Sequence, residues 1–472
     1  MRYRTPTTVM LACTLQAAVA WAAGWGVQVV DETSGRGIPM VVLSANNGAT
    51  WVTDNAGWAC VDEPDLQGQP IYLTAVSPGY VYPKDSAGFS GTEVKVEAGG
   101  TVVLKMMRTD LAERMARLTG TGLYRDSKAL GKDIAIAAHT PPPLARQSNA
   151  LTELHRGEVC WLWQEAEQMT HPGQRLAVTG TKSRLASPPS ALAMEQWSPT
   201  PAPQTLLPVP GAPWVVVDGL VSVPDADGNA RLVAHYIIQG KDTAKVEHGL
   251  AELNEEGLFD RIVVLGDEYQ WQLPAGGAVK VKEHEQEWLY FARPFCTVRV
   301  PATFEAIRTP SFYQALTWDA DAKDYRWQTE RGPMEPSNEV ELLAGGMVSA
   351  NQARFRLLEA VSGTAVPVAT GSVQWNEFRQ RWVMIASAAL DEVWYAESVK
   401  PEGPWGKAVR IVTLAGMDYR KVCQRPFLTE EKGRVIYFDG AVSGSGLPRY
   451  EGCQLMYRLD LSDARLGAAQ RW

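Results

Sequence analysis

The amino-acid sequence predicts an all-β protein with two folded units. Between residues 24 and 107, short strand-like segments alternate with turns rich in Gly, Asn, Asp and Pro. In the rest of the chain, a hairpin containing an aromatic-rich strand recurs five times. The length of 472 residues also exceeds what one ordinary hydrophobic core accommodates.

The N-terminal segment has the pattern of a secretory signal peptide. Two arginines precede an apolar run over residues 9–20, which ends in small residues suited to cleavage. A membrane anchor is the alternative, but Thr14 and Gln16 interrupt a run that is already short for a membrane span. We therefore predict that residues 1–23 are a signal peptide and that the mature chain is secreted, periplasmic or on the cell surface.

Charge and hydropathy argue against two classes of partner. The formal net charge is -8, and removal of Arg2 and Arg4 with the signal segment makes it -10. We find no basic cluster that could follow a phosphate backbone, so nucleic acid is not an expected partner. No later stretch is long and apolar enough to span a bilayer.

Cysteine and histidine spacing predicts no cofactor and no metal site. Five cysteines follow the signal segment, widely spaced and without a Cys-x-x-Cys pair. One disulfide, between Cys423 and Cys453, is compatible with export because these residues flank the last aromatic strand. Residues 284–288 begin like a zinc-protease helix but have Trp288 where a second histidine is required. The Gly-x-Ser-x-Gly motif of serine hydrolases is absent.

The junction between the two units is predicted to be a short helix over residues 108–119. Leu111, Met115 and Leu118 recur there at helical spacing.

The recurrent hairpins predict a closed arrangement of five small sheets. Each places a polar turn before an aromatic and β-branched strand. The five strands are predicted at residues 158–163, 230–236, 287–292, 381–385 and 433–438. Five antiparallel sheets around a central channel form a five-bladed β-propeller, which we predict for residues 120–472.

Two segments resemble known families. Residues 37–39 (Gly-Ile-Pro) and 53–57 (Thr-Asp-Asn-Ala-Gly) resemble carboxypeptidase regulatory-like, transthyretin-like β-sandwiches. Residues 395–398 (Tyr-Ala-Glu-Ser) and 403–405 (Gly-Pro-Trp) resemble an outer hairpin of the propeller glycosidases, the clan of arabinanases, xylosidases and fructosidases. The chain thus resembles exported bacterial proteins that pair the two. This resemblance implies a transthyretin-like β-sandwich at 24–107 followed by a five-bladed β-propeller.

The resemblance also implies a pair of carboxyl groups for glycosidic cleavage. Where the relatives carry Gln-Asp-Ser, this chain has Gln147, Ser148 and Asn149, so one acid is missing. Where they carry Trp-Gly-Asp-Thr, it has Glu165 in place of the aspartate. Asp218 ends an apolar strand entering the second blade. We therefore predict Glu165 and Asp218 as the catalytic residues.

The predicted sugar-binding residues are hydrogen-bonding and flat side chains near the channel. They are Ser148, Asn149, Trp163, Trp214, Gln374, Gln424 and Arg425. Trp163 and Trp214 have faces that can stack on sugar rings. Arg425 favours either an acidic sugar or an ion pair with Asp218 or Glu165.

Together these features predict a secreted glycan-active protein, a glycoside hydrolase-like propeller with a degraded acid pair, whose partner is a polysaccharide or oligosaccharide. A non-catalytic carbohydrate-binding propeller and a surface scaffold for protein interactions are the alternatives. Two carboxylates across a pocket at roughly 5 to 10 Å favour hydrolysis, whereas Glu165 alone favours binding. The sugar and the linkage are not determined by the sequence.

Overall fold

The computed structural model describes residues 24–134, 144–170, 175–185, 194–197, 203–212, 214–240, 245–389, 391–444, 446–447 and 450–470. Strands dominate these residues and the helices are few and short, so the chain is all-β. The predicted signal peptide, residues 1–23, lies outside the described residues. None of the described helices is long and apolar enough to cross a membrane.

The N-terminal part consists of two four-stranded sheets. Their strands are β1 Trp25–Asp31, β2 Val42–Ala45, β3 Thr50–Val52, β4 Trp58–Val61, β5 Pro70–Val76, β6 Tyr80–Val81, β7 Gly91–Lys95 and β8 Thr101–Arg108. One sheet has the order β4-β1-β8-β6 and the other has the order β3-β2-β5-β7. Val27, Leu43 and Leu73, from both sheets, share one apolar core. The period of two residues in strands explains why Leu104 is buried while its neighbour Val103 is exposed.

Five further sheets follow, numbered here 1 to 5 along the chain. Strand β9 (Glu113–Arg117) precedes them and belongs to sheet 5. Sheet 1 contains β10 Leu144–His155, β11 Glu158–Gln168, β12 Arg175–Leu176, β13 Thr179–Arg184 and β14 Met194–Gln196. Sheet 2 contains β15 Trp214–Pro224, β16 Ala230–Gln239, β17 Lys245–Leu253 and β18 Phe259–Leu265.

The remaining sheets have the same antiparallel pattern. Sheet 3 contains β19 Gly277–Glu283, β20 Gln286–Ala292, β21 Cys296–Pro301, β22 Gln314–Asp319 and β23 Asp324–Gln328. Sheet 4 contains β24 Leu358–Glu359, β25 Thr370–Asn376, β26 Arg381–Ser387, β27 Glu392–Ser398 and β28 Lys407–Thr413. Sheet 5 contains β29 Asp418–Gln424, β30 Val435–Ser443 and β31 Cys453–Asp460. The α-helices are α1 Arg125–Ala129, α2 Phe304–Ile307 and α3 Pro336–Ala344.

Each of the five aromatic segments predicted from the sequence lies in a different sheet. They correspond to β11, β16, β20, β26 and β30, the second strand of the antiparallel succession in each case. A strand flanked on both sides within its sheet, and packed on both faces, reads as a nearly continuous apolar run, which explains why these segments are conspicuous in the sequence.

Consecutive sheets pack on one another through separate apolar clusters. Four clusters lie between sheets 1 and 2, 2 and 3, 3 and 4, and 4 and 5. A fifth lies between sheets 5 and 1 and contains Trp161 and Tyr437. The first strands contact in the series β10, β15, β19, β25 and β29, and β10 also contacts β30 and β31. Sheet 5, the last in the series, therefore contacts sheet 1, the first.

The predicted helix over residues 108–119 is wrong, because this segment contains strand β9. Glu113–Arg117 pairs antiparallel with β31 at the edge of sheet 5. Met115 and Leu118 pack between sheets 5 and 1. On the other side, Arg114 donates to the carbonyl oxygen of Pro39 (3.2 Å) in the N-terminal part. Partners that are distant in sequence bury the segment from both sides. The local spacing of its apolar residues therefore cannot show that it forms a strand.

The Thr-Asp-x-x-Gly turn of the N-terminal part contacts the segment that follows β9. Asn55 accepts from the backbone N–H of Arg117 (3.0 Å) and donates to the carbonyl oxygen of Arg117 (2.8 Å). Asp54 accepts from the backbone N–H of Ser127 (2.7 Å). This turn therefore attaches the N-terminal sheets to the rest of the chain through buried hydrogen bonds.

The disulfide expected between Cys423 and Cys453 is wrong, because both thiols are free. Cys423 pairs with Asp439 and Cys453 pairs with Val442, on opposite sides of β30. Two strand spacings amount to about 9.5 Å, which exceeds the Cα separation of a disulfide.

Candidate functional site

The first strands of sheets 1, 2 and 5 each contain a residue with left-handed backbone. These residues are Asn149 (φ 58°), Gly219 (φ 54°) and Lys421 (φ 52°). The strand register shifts next to Gly219 and next to Lys421, as in β-bulges. A β-bulge redirects a side chain away from the regular alternation, and bulges are frequent beside functional sites.

Asp218 connects sheet 2 to sheet 3. Its Oδ1 accepts from the backbone N–H groups of Gly219 (2.9 Å) and Gly276 (2.9 Å), and its Oδ2 lies 3.1 Å from Nη2 of Arg293. Only glycine fits at position 219, because a Cβ atom there would lie 2.2 Å from the backbone carbon of Pro274. Both side-chain oxygens of Asp218 are therefore engaged.

Lys421 lies between sheet 5 and sheet 1. Its Nζ donates to Oε1 of Gln164 (3.2 Å), and Gln164 lies opposite Asn149 in the β10–β11 pair. The Lys421 residue is exposed overall, but its ammonium group is partly desolvated by the surrounding protein. The loss of water lowers the pKa of Lys421 more than the nearby carboxylates of Asp218 and Glu165 raise it.

Two hydrogen-bonded or ion-paired contacts, Lys421–Gln164 and Arg293–Asp218, and the charge interactions of Lys421 with Asp218 and Glu165 relate five side chains to one another. We call Gln164, Glu165, Asp218, Arg293 and Lys421 the polar cluster. Its members come from sheets 1, 2 and 5 and from the turn after β20. Both residues predicted to be catalytic, Glu165 and Asp218, belong to it, and the charge of Lys421 interacts with both.

A buried imidazole lies next to the polar cluster. His235 on β16 is 8% exposed, and neither of its ring nitrogens forms a well-aligned hydrogen bond within the described residues. Its ring centroid is 5.7 Å from that of His248. Burial lowers the pKa of His235 to about 4, against the attraction of Asp218, so the ring is neutral at physiological pH.

Arg425 does not face a ligand, which corrects its prediction as a sugar-binding residue. The side chains of Arg425 and Asp439 are both 0% exposed and form a two-point ion pair, with Nε–Oδ2 at 2.6 Å and Nη2–Oδ1 at 2.5 Å. Nη1 donates to Thr152 Oγ1 (2.8 Å) and Nη2 donates to the carbonyl oxygen of Ala150 (3.2 Å). The ion pair expected with Asp218 or Glu165 forms instead with Asp439. Both Arg425 and Asp439 are buried on neighbouring strands of sheet 5, and a buried charge requires a partner close by.

Gln424 and Trp163 are also corrected from ligand contacts to packing residues. Gln424 is buried, and its amide donates to the carbonyl oxygens of Ser372 (3.1 Å) and Val383 (3.0 Å), which joins sheets 5 and 4. Trp163 is fully buried and lies parallel to Trp161, with ring centroids 5.6 Å apart. Neither side chain presents a free surface to a sugar.

The other predicted residues form no side-chain hydrogen bond with the polar cluster within the described part of the chain. Ser148 is buried opposite Glu165. Asn149 is buried, and its side-chain oxygen has no hydrogen-bond partner in the described parts of the chain. Trp214 is half-buried at the start of β15, four residues before Asp218 and so about 13 Å along the strand. Gln374 is half-buried on β25.

Sequence reasoning missed Lys421, Gln164 and Arg293. One signal for Lys421 exists, since consecutive polar residues at 420 and 421 break the alternation between buried Tyr419 and Val422. Such a break indicates a bulge. We find no comparable signal for Arg293, which enters the site through the turn after β20.

A further carboxyl group, that of Glu153, lies farther along β10. Burial raises its pKa to about 7, against the attraction of Lys280 and a hydrogen bond from the backbone of Ser222. Glu153 faces Cys160 in the β10–β11 pair, five residues along β11 from Glu165. Five residues of strand span about 17 Å, so Glu153 is remote from the polar cluster.

No group of three or more His, Cys, Asp or Glu residues in the described part of the chain could hold a metal ion. The described sheets define the class of the molecule as an all-β protein.

No protein-family model matches the chain, and no curated protein matches it. Solved structures with a similar fold include a putative hydrolase from Bacteroides ovatus, at 10% identity over 68% of this chain and 87% of that chain, with a TM-score of 0.44. An exo-β-1,3-galactanase from Phanerochaete chrysosporium is 11% identical over 67% of this chain and 61% of that chain, with a TM-score of 0.37. An α-L-arabinofuranosidase from Fusarium graminearum is 12% identical over 67% of this chain and 94% of that chain, with a TM-score of 0.36. Likeness at this level assigns neither an activity nor a ligand to this chain.

Proposed function

We propose that this chain is an exported protein in which a transthyretin-like sandwich precedes a five-bladed β-propeller, and that it binds a saccharide at the polar cluster without cleaving it. The series of inter-sheet contacts that returns from sheet 5 to sheet 1 supports the propeller. The sequence resemblance at residues 395–398 and 403–405 supports a saccharide as the ligand.

The observation that carries the binding proposal is the supply of unengaged donors and acceptors in the polar cluster. Among the described residues, the ammonium of Lys421 hydrogen-bonds only to Gln164, and the guanidinium of Arg293 pairs only with Asp218. Glu165 is exposed and keeps its carboxylate oxygens available. Sugar hydroxyls both donate and accept hydrogen bonds, so a site with separate cationic donors and a free carboxylate acceptor suits them.

The state of the carboxyl groups argues against cleavage. Hydrolysis requires a proton-donating acid and a second carboxylate, separated by roughly 5 to 9.5 Å. Asp218 is engaged by two backbone N–H groups and Arg293. Glu153 has a pKa suited to an acid, but about 17 Å of strand separates it from the level of Glu165. Its neighbour Ser222 lies four residues, about 13 Å, beyond Asp218.

Affinity electrophoresis of residues 24–472 through gels that contain different polysaccharides tests this proposal. We expect retardation by at least one polysaccharide, weakened about tenfold or more by Lys421→Met, since charge-assisted hydrogen bonds contribute about 1.5 to 3 kcal/mol. Arg420→Met is the matched control, because Arg420 is the adjacent exposed cation and pairs with Asp418 outside the cluster. Absence of retardation by every polysaccharide would refute saccharide binding.

Hydrolysis is the second candidate, favoured by the raised pKa of Glu153. It predicts release of reducing ends from a polysaccharide during long incubation, and loss of that release in Glu153→Gln or Glu165→Gln. Binding without any release of reducing ends would eliminate this candidate.

A further inference from the structure

We infer that the saccharide bound by the polar cluster carries a carboxylate, and that this group lies between the ammonium of Lys421 and the guanidinium of Arg293. The inference rests on the proposed function, since it specifies the chemical class of ligand for the same site. It follows from the way the charges of the cluster are already distributed.

Arg293 has donors to spare. Its side chain is 66% exposed, and the one ion pair it forms with a described residue joins Nη2 to Oδ2 of Asp218 at 3.1 Å. A guanidinium group has five N–H donors in a planar fork that matches a carboxylate. Asp218 holds this fork in place from one side and leaves the other side open to a ligand.

Lys421 has a positive charge that the protein compensates incompletely. Asp218 directs its oxygens at Arg293 and two backbone N–H groups. Glu165 is exposed, so water weakens its attraction for Lys421. Loss of water and repulsion from Arg293 lower the pKa of Lys421 despite these two carboxylates, so an anion held between the two cations would be stabilising.

The position of Lys421 is also fixed before any ligand arrives. A bulge with left-handed backbone directs its side chain out of the strand, and Gln164 holds its Nζ. A cation fixed in this way loses less conformational freedom on binding than a mobile surface lysine. Glu165, on the neighbouring strand, remains available to accept hydrogen bonds from sugar hydroxyls.

Paired ligands that differ only in charge test the inference. Polygalacturonate and alginate are each compared with their carboxyl-reduced, neutral forms by affinity electrophoresis at 0.15 M salt. We expect at least one carboxylated polymer to bind, with a loss of tenfold or more on carboxyl reduction. Lys421→Met and Arg293→Gln should cause a similar loss, Lys421→Arg should retain most of the binding, and Arg420→Met should stay within about twofold of the wild type.

The outcomes separate this inference from the proposed function. Equal binding to the carboxylated and reduced polymers, or binding only to neutral polymers, would overturn the carboxylate inference and leave saccharide binding intact. No binding to any polymer would overturn both. Dextran sulfate is a further probe, because equal binding to sulfated and carboxylated polymers that Lys421→Met does not weaken would indicate non-specific attraction of polyanions.

Discussion

Replacement of Arg425 by alanine should destabilise the protein strongly. The ion pair between Arg425 and Asp439 is fully buried, and Gln454 donates to the same carboxylate (2.5 Å). Arg425 also connects sheet 5 to β10 of sheet 1 through Thr152 and Ala150. Arg425 therefore stabilises the contact between sheet 5 and sheet 1.

The loss of stability in Arg425→Ala is set by the buried charge of Asp439, which loses its partner. In Arg425→Ala, Asp439 remains buried without its cation, and an uncompensated buried charge costs about 3 to 5 kcal/mol. Replacement of both partners by apolar residues, in Arg425→Met with Asp439→Leu, removes the charge as well as the pair. Such double replacements are often close to neutral. The single variant should therefore be less stable than the double variant.

Urea unfolding followed by tryptophan fluorescence measures this difference, since the guanidinium carbon lies 5.2 Å from the Trp161 ring centroid. With a denaturant slope of about 3 kcal/mol/M, the midpoint of Arg425→Ala should fall by roughly 1 to 2 M. If Arg425→Ala yields no soluble protein, a soluble double variant would still show that the double variant is the more stable of the two. A single variant as stable as the wild type, or more stable than the double variant, would refute the assignment of a buried ion pair.

Three other predictions follow from features described above. Because the pKa of Glu153 is raised from 4.5 to about 7, its stabilising effect is complete below pH 4.5 and is lost as the pH rises through 7. Glu153→Gln should therefore exceed the wild type in stability by at most about 3 kcal/mol at pH 8.5 and match it at pH 4.5, and equal differences at both pH values in urea unfolding would contradict this. A fragment of residues 120–472, which lacks β9, should give a lower thermal midpoint than residues 109–472, and coinciding midpoints would contradict a structural role for β9. Trp163→Ala should cost about 3 to 5 kcal/mol in urea unfolding without a specific effect on saccharide binding, and selective loss of binding would restore Trp163 as a sugar contact.

The sequence predicted strands better than it predicted the site, and the difference has a physical cause. The five aromatic strands are recognisable because a strand packed on both faces is apolar over its whole length. Strand β9 was mistaken for a helix because its partner β31 lies at the other end of the chain, and local spacing contains no information about that pairing.

The predicted site residues failed for a related reason. An arginine is a residue type that commonly binds anionic ligands, so the sequence favours a ligand contact for Arg425. The side chain is buried only because sheet 5 packs against sheet 1. The resemblance pointed to Glu165, and the apolar strand that precedes Asp218 pointed to Asp218; both residues belong to the polar cluster. The only sequence signal for Lys421 is the pair of consecutive exposed positions 420 and 421, which marks a bulge but not the direction of the side chain.

The position of β9 also has a consequence for the order of folding during synthesis. Arg114 on β9 donates to Tyr457 on β31, and 343 positions separate the two residues. At a synthesis rate of about 5 to 20 residues per second, the ribosome needs roughly 20 to 70 s to make the intervening chain. Throughout that time β9 has an unpaired edge, which is prone to association with other chains. A chaperone that holds the chain unfolded until synthesis is complete would protect this edge.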